Sequence, residues 1–83
     1  MNTEYLETDQ LMSDGEEATI TIDVQEEQII FVVGVNEEYN EDDVCLDCLC
    51  ALENTGMNVD NLDFYSIAYD AHDETVEIIY VEM

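Results

Sequence analysis

Lysine and arginine are both absent from these 83 residues, whereas Asp and Glu number 23, for a formal net charge of −23 at pH 7. A domain of this size is ordinarily about 25% charged with both signs present, so on the order of ten basic residues are missing. Their absence removes any basic patch, and repulsion excludes direct binding to nucleic acid. An anionic membrane surface repels the chain for the same reason. There is no Gly-rich dinucleotide or phosphate loop. Proline is absent as well, no linker or internal repeat is present, and no apolar run approaches the roughly 18 residues of a membrane span. The opening stretch MNTEYLETDQ has neither the basic flank nor the apolar segment of a secretory signal. Three cysteines within six residues, Cys45, Cys48 and Cys50, suit a reducing compartment better than a disulfide framework. A cytoplasmic protein is expected.

What is present is negative charge far beyond the need for solubility, for which a net charge of about 2–8 suffices. The surplus makes the folded chain repel itself, so some function or environment requires it. Disorder does not follow. The chain is 47% apolar, and those residues concentrate in β-branched and aromatic runs, ATITIDV, QIIFVVGV and TVEIIYV. These predict a folded domain with a thin core, stabilised by added salt.

Residues 1–15 are read as an N-terminal segment, either a short helix with Tyr5, Leu6, Leu11 and Met12 on one face or an arm laid over the domain. Residues 16–83 form the domain proper. Ala18, Ile20, Ile22 and Val24 alternate with polar residues, the signature of a half-buried strand. After the turn QEEQ, residues 28–35 are apolar on both faces, which predicts a central strand in a hairpin with the first. Asn40 is a good N-cap, with Glu41, Asp42 and Asp43 in the positive first turn of a helix over 41–54 and Gly56 just beyond its end. Leu62 to Tyr69 and Thr75 to Val81 read as two more strands joined by DAHD. The expectation is an α+β fold of order ββαββ, one four-stranded sheet with a single helix packed on one face.

Several arrangements look chemical and are weighed against simpler readings. Cys45, Cys48 and Cys50 with His72 offer four zinc-type ligands, but at 100° per residue Cys50 points away from the face shared by Cys45, Cys48, Val44, Leu49 and Leu52. Small core residues are the simpler reading for Cys45 and Cys48. Neither acidic stretch, NEEYNEDDVCLD nor NVDNLDFYSIAYDA, has the central Gly of a calcium loop. A Cys50–His72 nucleophile pair is blunted by the surrounding negative field, which raises a thiol pKa. No metal, no cofactor and no enzymatic activity is expected. Leu46 and Cys50 share a helix face with Asp43 and Asp47, either as ordinary exposed residues or as the apolar centre of a homodimer seam.

The charge remains to be explained. If the helix returns the chain so that the next strand runs parallel to the second, one rim of the sheet collects Glu16 and Glu17, the loop and helix start with Glu37, Glu38, Glu41, Asp42 and Asp43, and the turn with Asp70, Asp73 and Glu74. Ten of the 23 acids fall there. Only Glu26, Glu27, Glu53, Asp60 and Glu82 are expected at the opposite rim. Duplex DNA carries about one charge per 1.7 Å of axis, so a compact chain roughly 30 Å across matches it in charge per length.

A small, intensely acidic, Lys/Arg-free α+β domain with the stretch NEEYNEDD resembles the DNA-mimic inhibitors carried by phages and mobile elements, among them anti-restriction proteins, uracil-DNA glycosylase inhibitors and anti-CRISPR proteins. The likeness is one of overall character and physical strategy, not of a shared motif. It implies an inhibitor acting in the host cytoplasm on a basic nucleic-acid-binding protein, a CRISPR nuclease first and a restriction nuclease second. The rim acids would meet that partner, with Tyr39 adding a rigid amphipathic contact. Two other readings stay open: an acidic chaperone or sequestering partner of histone-like or other basic proteins, and adaptation to high salt.

Overall fold

The structure, a computed structural model, describes residues 4–82. Six elements follow in the order β1 (Glu4–Leu11), β2 (Glu17–Val24), β3 (Gln28–Gly34), α1 (Glu41–Asn54), β4 (Leu62–Asp70) and β5 (Thr75–Glu82). The fold is α+β, with one antiparallel sheet in the strand order β1-β2-β3-β5-β4 and a single helix.

Five strands stand where four were expected, and the difference lies in the N-terminal segment. Residues expected as an arm or short helix over 1–15 instead form β1, paired with β2 from Glu4 opposite Val24 to Leu11 opposite Glu17; residues 1–3 of that segment lie outside the described residues. Tyr5, Leu6, Leu11 and Met12 therefore divide between the two faces. Leu6 turns inward, Tyr5 (68% exposed) and Leu11 turn outward, and Met12 enters the core. The physical reason is that EYLETDQL is strongly apolar on neither face. The free edge of β2 supplies a backbone ladder that local periodicity does not reveal.

The helix carries the chain back, and β4 runs in the same direction as β3, but β5 lies between them. The crossover thus skips one position, and every neighbouring pair is antiparallel. α1 spans the expected residues for the expected reasons. The Asn40 side chain accepts from the Asp43 backbone N–H at 3.0 Å, and the acids of the first turn lie at the positive end of the helix dipole. Past the Thr55 cap the chain turns at Gly56 with φ +96°, a conformation that costs glycine little.

The core lies between the helix and one face of the sheet. Ile20 and Ile22 of β2, Phe31 and Val33 of β3 and Val76 and Ile78 of β5 are buried against Cys48, Ala51 and Leu52 of α1. Phe31 meets Tyr80 edge-on, with ring centroids 6.0 Å apart. Burial pushes the Cys48 thiol from its ordinary 9.0 up to about 12 and raises the Tyr80 hydroxyl in the same direction. In the unfolded chain the thiol loses its proton near pH 9; in the folded chain it holds it to about 12. The folded state therefore binds more protons in that window, and stability present below pH 9 should fall as pH rises towards 12. Thiol labelling at pH 8 checks the same burial. Exposed Cys50 should react first and partly buried Cys45 slowly, while Cys48 reacts only on unfolding.

No Lys or Arg offsets the 23 carboxylates anywhere in the chain. Screening then decides much of the stability, because the Debye length falls from about 10 Å at 0.1 M salt to about 3 Å at 1 M. The melting temperature should rise on the order of 10 °C between about 0.05 and 1 M NaCl. A melt that is flat or falling with salt would contradict self-repulsion as the main electrostatic cost.

Candidate functional site

Register determines which acids meet. Val33 lies opposite Ile20, Gly34 opposite Thr75, and Thr75 opposite Asp70. The start of β2, the end of β3, the end of β4 and the start of β5 therefore lie at one end of the sheet. The loop from Gly34 into α1 leaves from that end. The carboxylates of Glu16, Glu17, Glu37, Glu38, Glu41, Asp42, Asp43, Asp70, Asp73 and Glu74 all belong to it, on segments exposed to solvent.

An open cleft of about 590 Å³ lies among these segments. Its acidic lining comes from three places: Asp14, Glu16 and Glu17 around the β1–β2 turn, Glu38, Asp43 and Asp47 around the helix start, and Asp73 and Glu74 in the β4–β5 turn. Glu37, Glu41, Asp42 and Asp70 belong to the same end outside the cleft lining. Asp14 and Asp47 were not anticipated there. Asp47 follows Asp43 by one helical turn, which is the signal that places it on the cleft side. Asp14 is brought in only because β1 pairs with β2.

Leu46, 58% exposed, and Cys50 lie open on their helix face, as expected, but Asp47 beside them is only 7% exposed. The carboxylate is satisfied without a cation. Ser13 donates its backbone N–H to Oδ2 at 2.9 Å and its hydroxyl to Oδ1 at 2.7 Å, tying the β1–β2 turn to the helix.

The loops of this end are folded by their own polar side chains. Asp14 Oδ1 accepts from the Glu16 N–H at 2.9 Å, Asn36 Oδ1 from the Glu38 N–H at 2.9 Å, and Asp70 Oδ1 from the N–H groups of His72 at 2.9 Å and Asp73 at 3.3 Å. The Val35 N–H donates to the Glu74 carbonyl at 2.9 Å, joining the helix-entry loop to the β4–β5 turn. Glu74 takes the left-handed conformation, φ +54°, that closes this turn. The acids are thus held on short, internally bonded loops, which lowers the entropy lost when a partner fixes them. Tyr39 is half-buried and stacked on Tyr69 with centroids 5.4 Å apart. Burial, then Glu41, raises its hydroxyl above the ordinary value, so it remains a neutral hydrogen-bonding group.

The opposite end is more acidic than expected. Besides Glu26, Glu27, Asp60 and Glu82 it holds Glu4 at the start of β1, Asp23 near the end of β2 and Asp63 near the start of β4, whereas Glu53, expected there, ends a helix whose Asn54 side chain reaches Gln10 on β1, one row from the cleft end. Charge is accordingly spread along the body, with its greatest concentration around the cleft. Among the described residues, no three His, Cys, Asp or Glu side chains converge as metal ligands do. Chemically, the cleft end can accept hydrogen bonds and ion pairs from guanidinium and ammonium groups along several directions at once.

No family model matches the chain, and no curated protein or solved structure is significantly similar to it.

Proposed function

We propose that this protein is a DNA mimic, which inhibits a host-defence nuclease by occupying its cationic nucleic-acid-binding site. A CRISPR nuclease is the first choice of target and a restriction enzyme the second, and the protein acts in the host cytoplasm without catalysing a reaction. The observation that carries this reading is charge per length. The body measures 34 × 22 × 19 Å and bears 23 acids with no basic residue. A stretch of duplex 34 Å long, about one helical turn, carries about 20 phosphate charges. A groove lined with Arg and Lys therefore meets a comparable charge over a comparable length, and a basic side chain on the mimic would repel it.

No helix among the described residues is long and apolar enough to cross a membrane. The acids of the cleft end (Glu16, Glu17, Glu37, Glu38, Glu41, Asp42, Asp43, Asp70, Asp73 and Glu74) are the proposed partner contacts, with Tyr39 beside them. Opposite fields steer such an encounter, so association is fast at low salt and slows steeply as salt is added.

The test is a binding screen of immobilised protein against purified CRISPR and restriction nucleases, with histone-like proteins as basic controls. The expected result is capture of one nuclease, released by its own duplex substrate, with cleavage blocked at matching concentrations. Equal capture of every basic protein, with no displacement by DNA, overturns mimicry in favour of a sequestering role.

A further inference from the structure

We propose that the face of the sheet turned away from α1 is a docking surface for an amphipathic helix of a partner protein, with an apolar stripe framed by Lys or Arg. This goes beyond the cleft end and rests on different residues. β3 and β5 are written for burial on both faces. Ile29, Phe31, Val33, Val76, Ile78 and Tyr80 are buried on the helix side, while Ile30, Val32, Ile79 and Val81 point to the other. Strands with this pattern ordinarily lie between two layers. The described residues supply one helix, and it covers one face.

Register turns these four half-buried side chains, which no second layer among the described residues covers, into a patch. Ile30 lies directly opposite Ile79, with Val32 and Val81 on the adjoining rows. Three carboxylates stand around it, Asp23 opposite Ile30, Glu77 opposite Val32 and Asp63 opposite Val81, with the uncharged Thr21, Gln28 and Ser66 completing the surround. An apolar centre with a charged frame is the anatomy of a protein interface. The sign of the frame selects the occupant. A second copy of this chain would set these carboxylates against their own equivalents, and an anionic membrane is repelled, whereas a Lys- or Arg-framed helix is attracted.

The dimensions agree. Across the strands, Asp23 on β2 and Asp63 on β4 are three spacings apart, roughly 14 Å, with Asp63 one row further along, and a helix with its side chains is about 10–12 Å across. Apolar residues at i, i+3, i+4 and i+7 would sit on the isoleucines and valines, and basic residues beside them would reach the carboxylates on either flank.

Methyl-labelled full-length protein titrated with a synthetic Leu/Lys amphipathic peptide of about five helical turns tests this, with an oligolysine of equal charge as control. The peptide should shift the methyls of Ile30, Val32, Ile79 and Val81 and bind at least tenfold more tightly than oligolysine. The double variant Ile30→Thr, Ile79→Thr keeps β-branching and should erase that tenfold advantage while leaving oligolysine binding unchanged. Should it fail to fold, neutralising the frame with Asp23→Asn, Asp63→Asn and Glu77→Gln should weaken peptide binding at least tenfold. Equal affinity for both probes, shifts confined to the helix side, or self-association that covers these methyls overturns the proposal.

Discussion

Replacing Glu37, Glu38, Asp42 and Asp43 together with Gln and Asn is expected to slow association with the proposed target nuclease more than tenfold, with little change in dissociation. The four side chains are exposed and lie on the loop into α1 and its first turn, where five carboxylates fall within seven residues. Loss of charge at an exposed rim acts chiefly on the encounter rate. The fold should survive. The Asn40 cap bonds the Asp43 backbone N–H and not its carboxylate, so it persists in the variant. Losing acids in the first turn costs about 0.3–1 kcal/mol each through the helix dipole, and relief of repulsion among neighbouring carboxylates offsets this. The informative control removes the same charge from the far end, as Glu26→Gln, Glu27→Gln, Asp60→Asn and Glu82→Gln. Stopped-flow rates that drop equally in both variants would mean that only total charge matters, and the positional reading of the cleft end would be abandoned.

Asp47→Ala should lower stability by about 2–4 kcal/mol, read by thermal or urea unfolding. The variant loses two charge-assisted hydrogen bonds from Ser13, whose exposed N–H and hydroxyl then turn to water, and leaves a small void where the buried carboxylate stood. For a domain of this size that corresponds to a fall of roughly 10–25 °C in Tm. The loss is large because small domains hold only about 5–15 kcal/mol in total. One fewer negative charge compensates slightly, and more so at low salt. Ser13→Ala removes only the hydroxyl bond and should cost about 1 kcal/mol. Since Met12, Asp14 and Glu16 belong to the turn that Asp47 holds, the alanine variant should also loosen one wall of the cleft. Hydrogen exchange at residues 12–16 should then rise relative to the rest of the sheet. An Asp47→Ala protein as stable as the parent would mean that this link contributes nothing net.

Both effects show where local sequence suffices and where it does not. The helix boundaries were legible because Asn40, the three acids after it and Gly56 act within one turn of the chain. The strands β2, β3 and β5 were legible because their apolar residues repeat with strand periodicity or run unbroken. The grouping of acids at one end followed from strand direction, which hairpins and a single helix determine in this chain. β1 was not legible, since Glu4–Leu11 gains most of its order from a ladder to β2 and little from its own side chains. The insertion of β5 between β3 and β4 was also hidden, as both strands pair through backbone groups that every sequence shares. The burial of Asp47 was hidden too, because it depends on the β1–β2 turn folding over the helix.

The amino-acid sequence alone determined the sign and scale of the electrostatics, a charge of −23 with no basic residue, together with the strand and helix segments of residues 17–82. Composition and periodicity are properties of the chain itself, unaffected by how distant segments meet. The tertiary structure alone decided which acids share a cleft, that Asp47 binds Ser13, and that an apolar face framed by Asp23, Asp63 and Glu77 stays uncovered. Those facts depend on register between strands remote in sequence, and register is a choice among pairings that only the packed molecule makes.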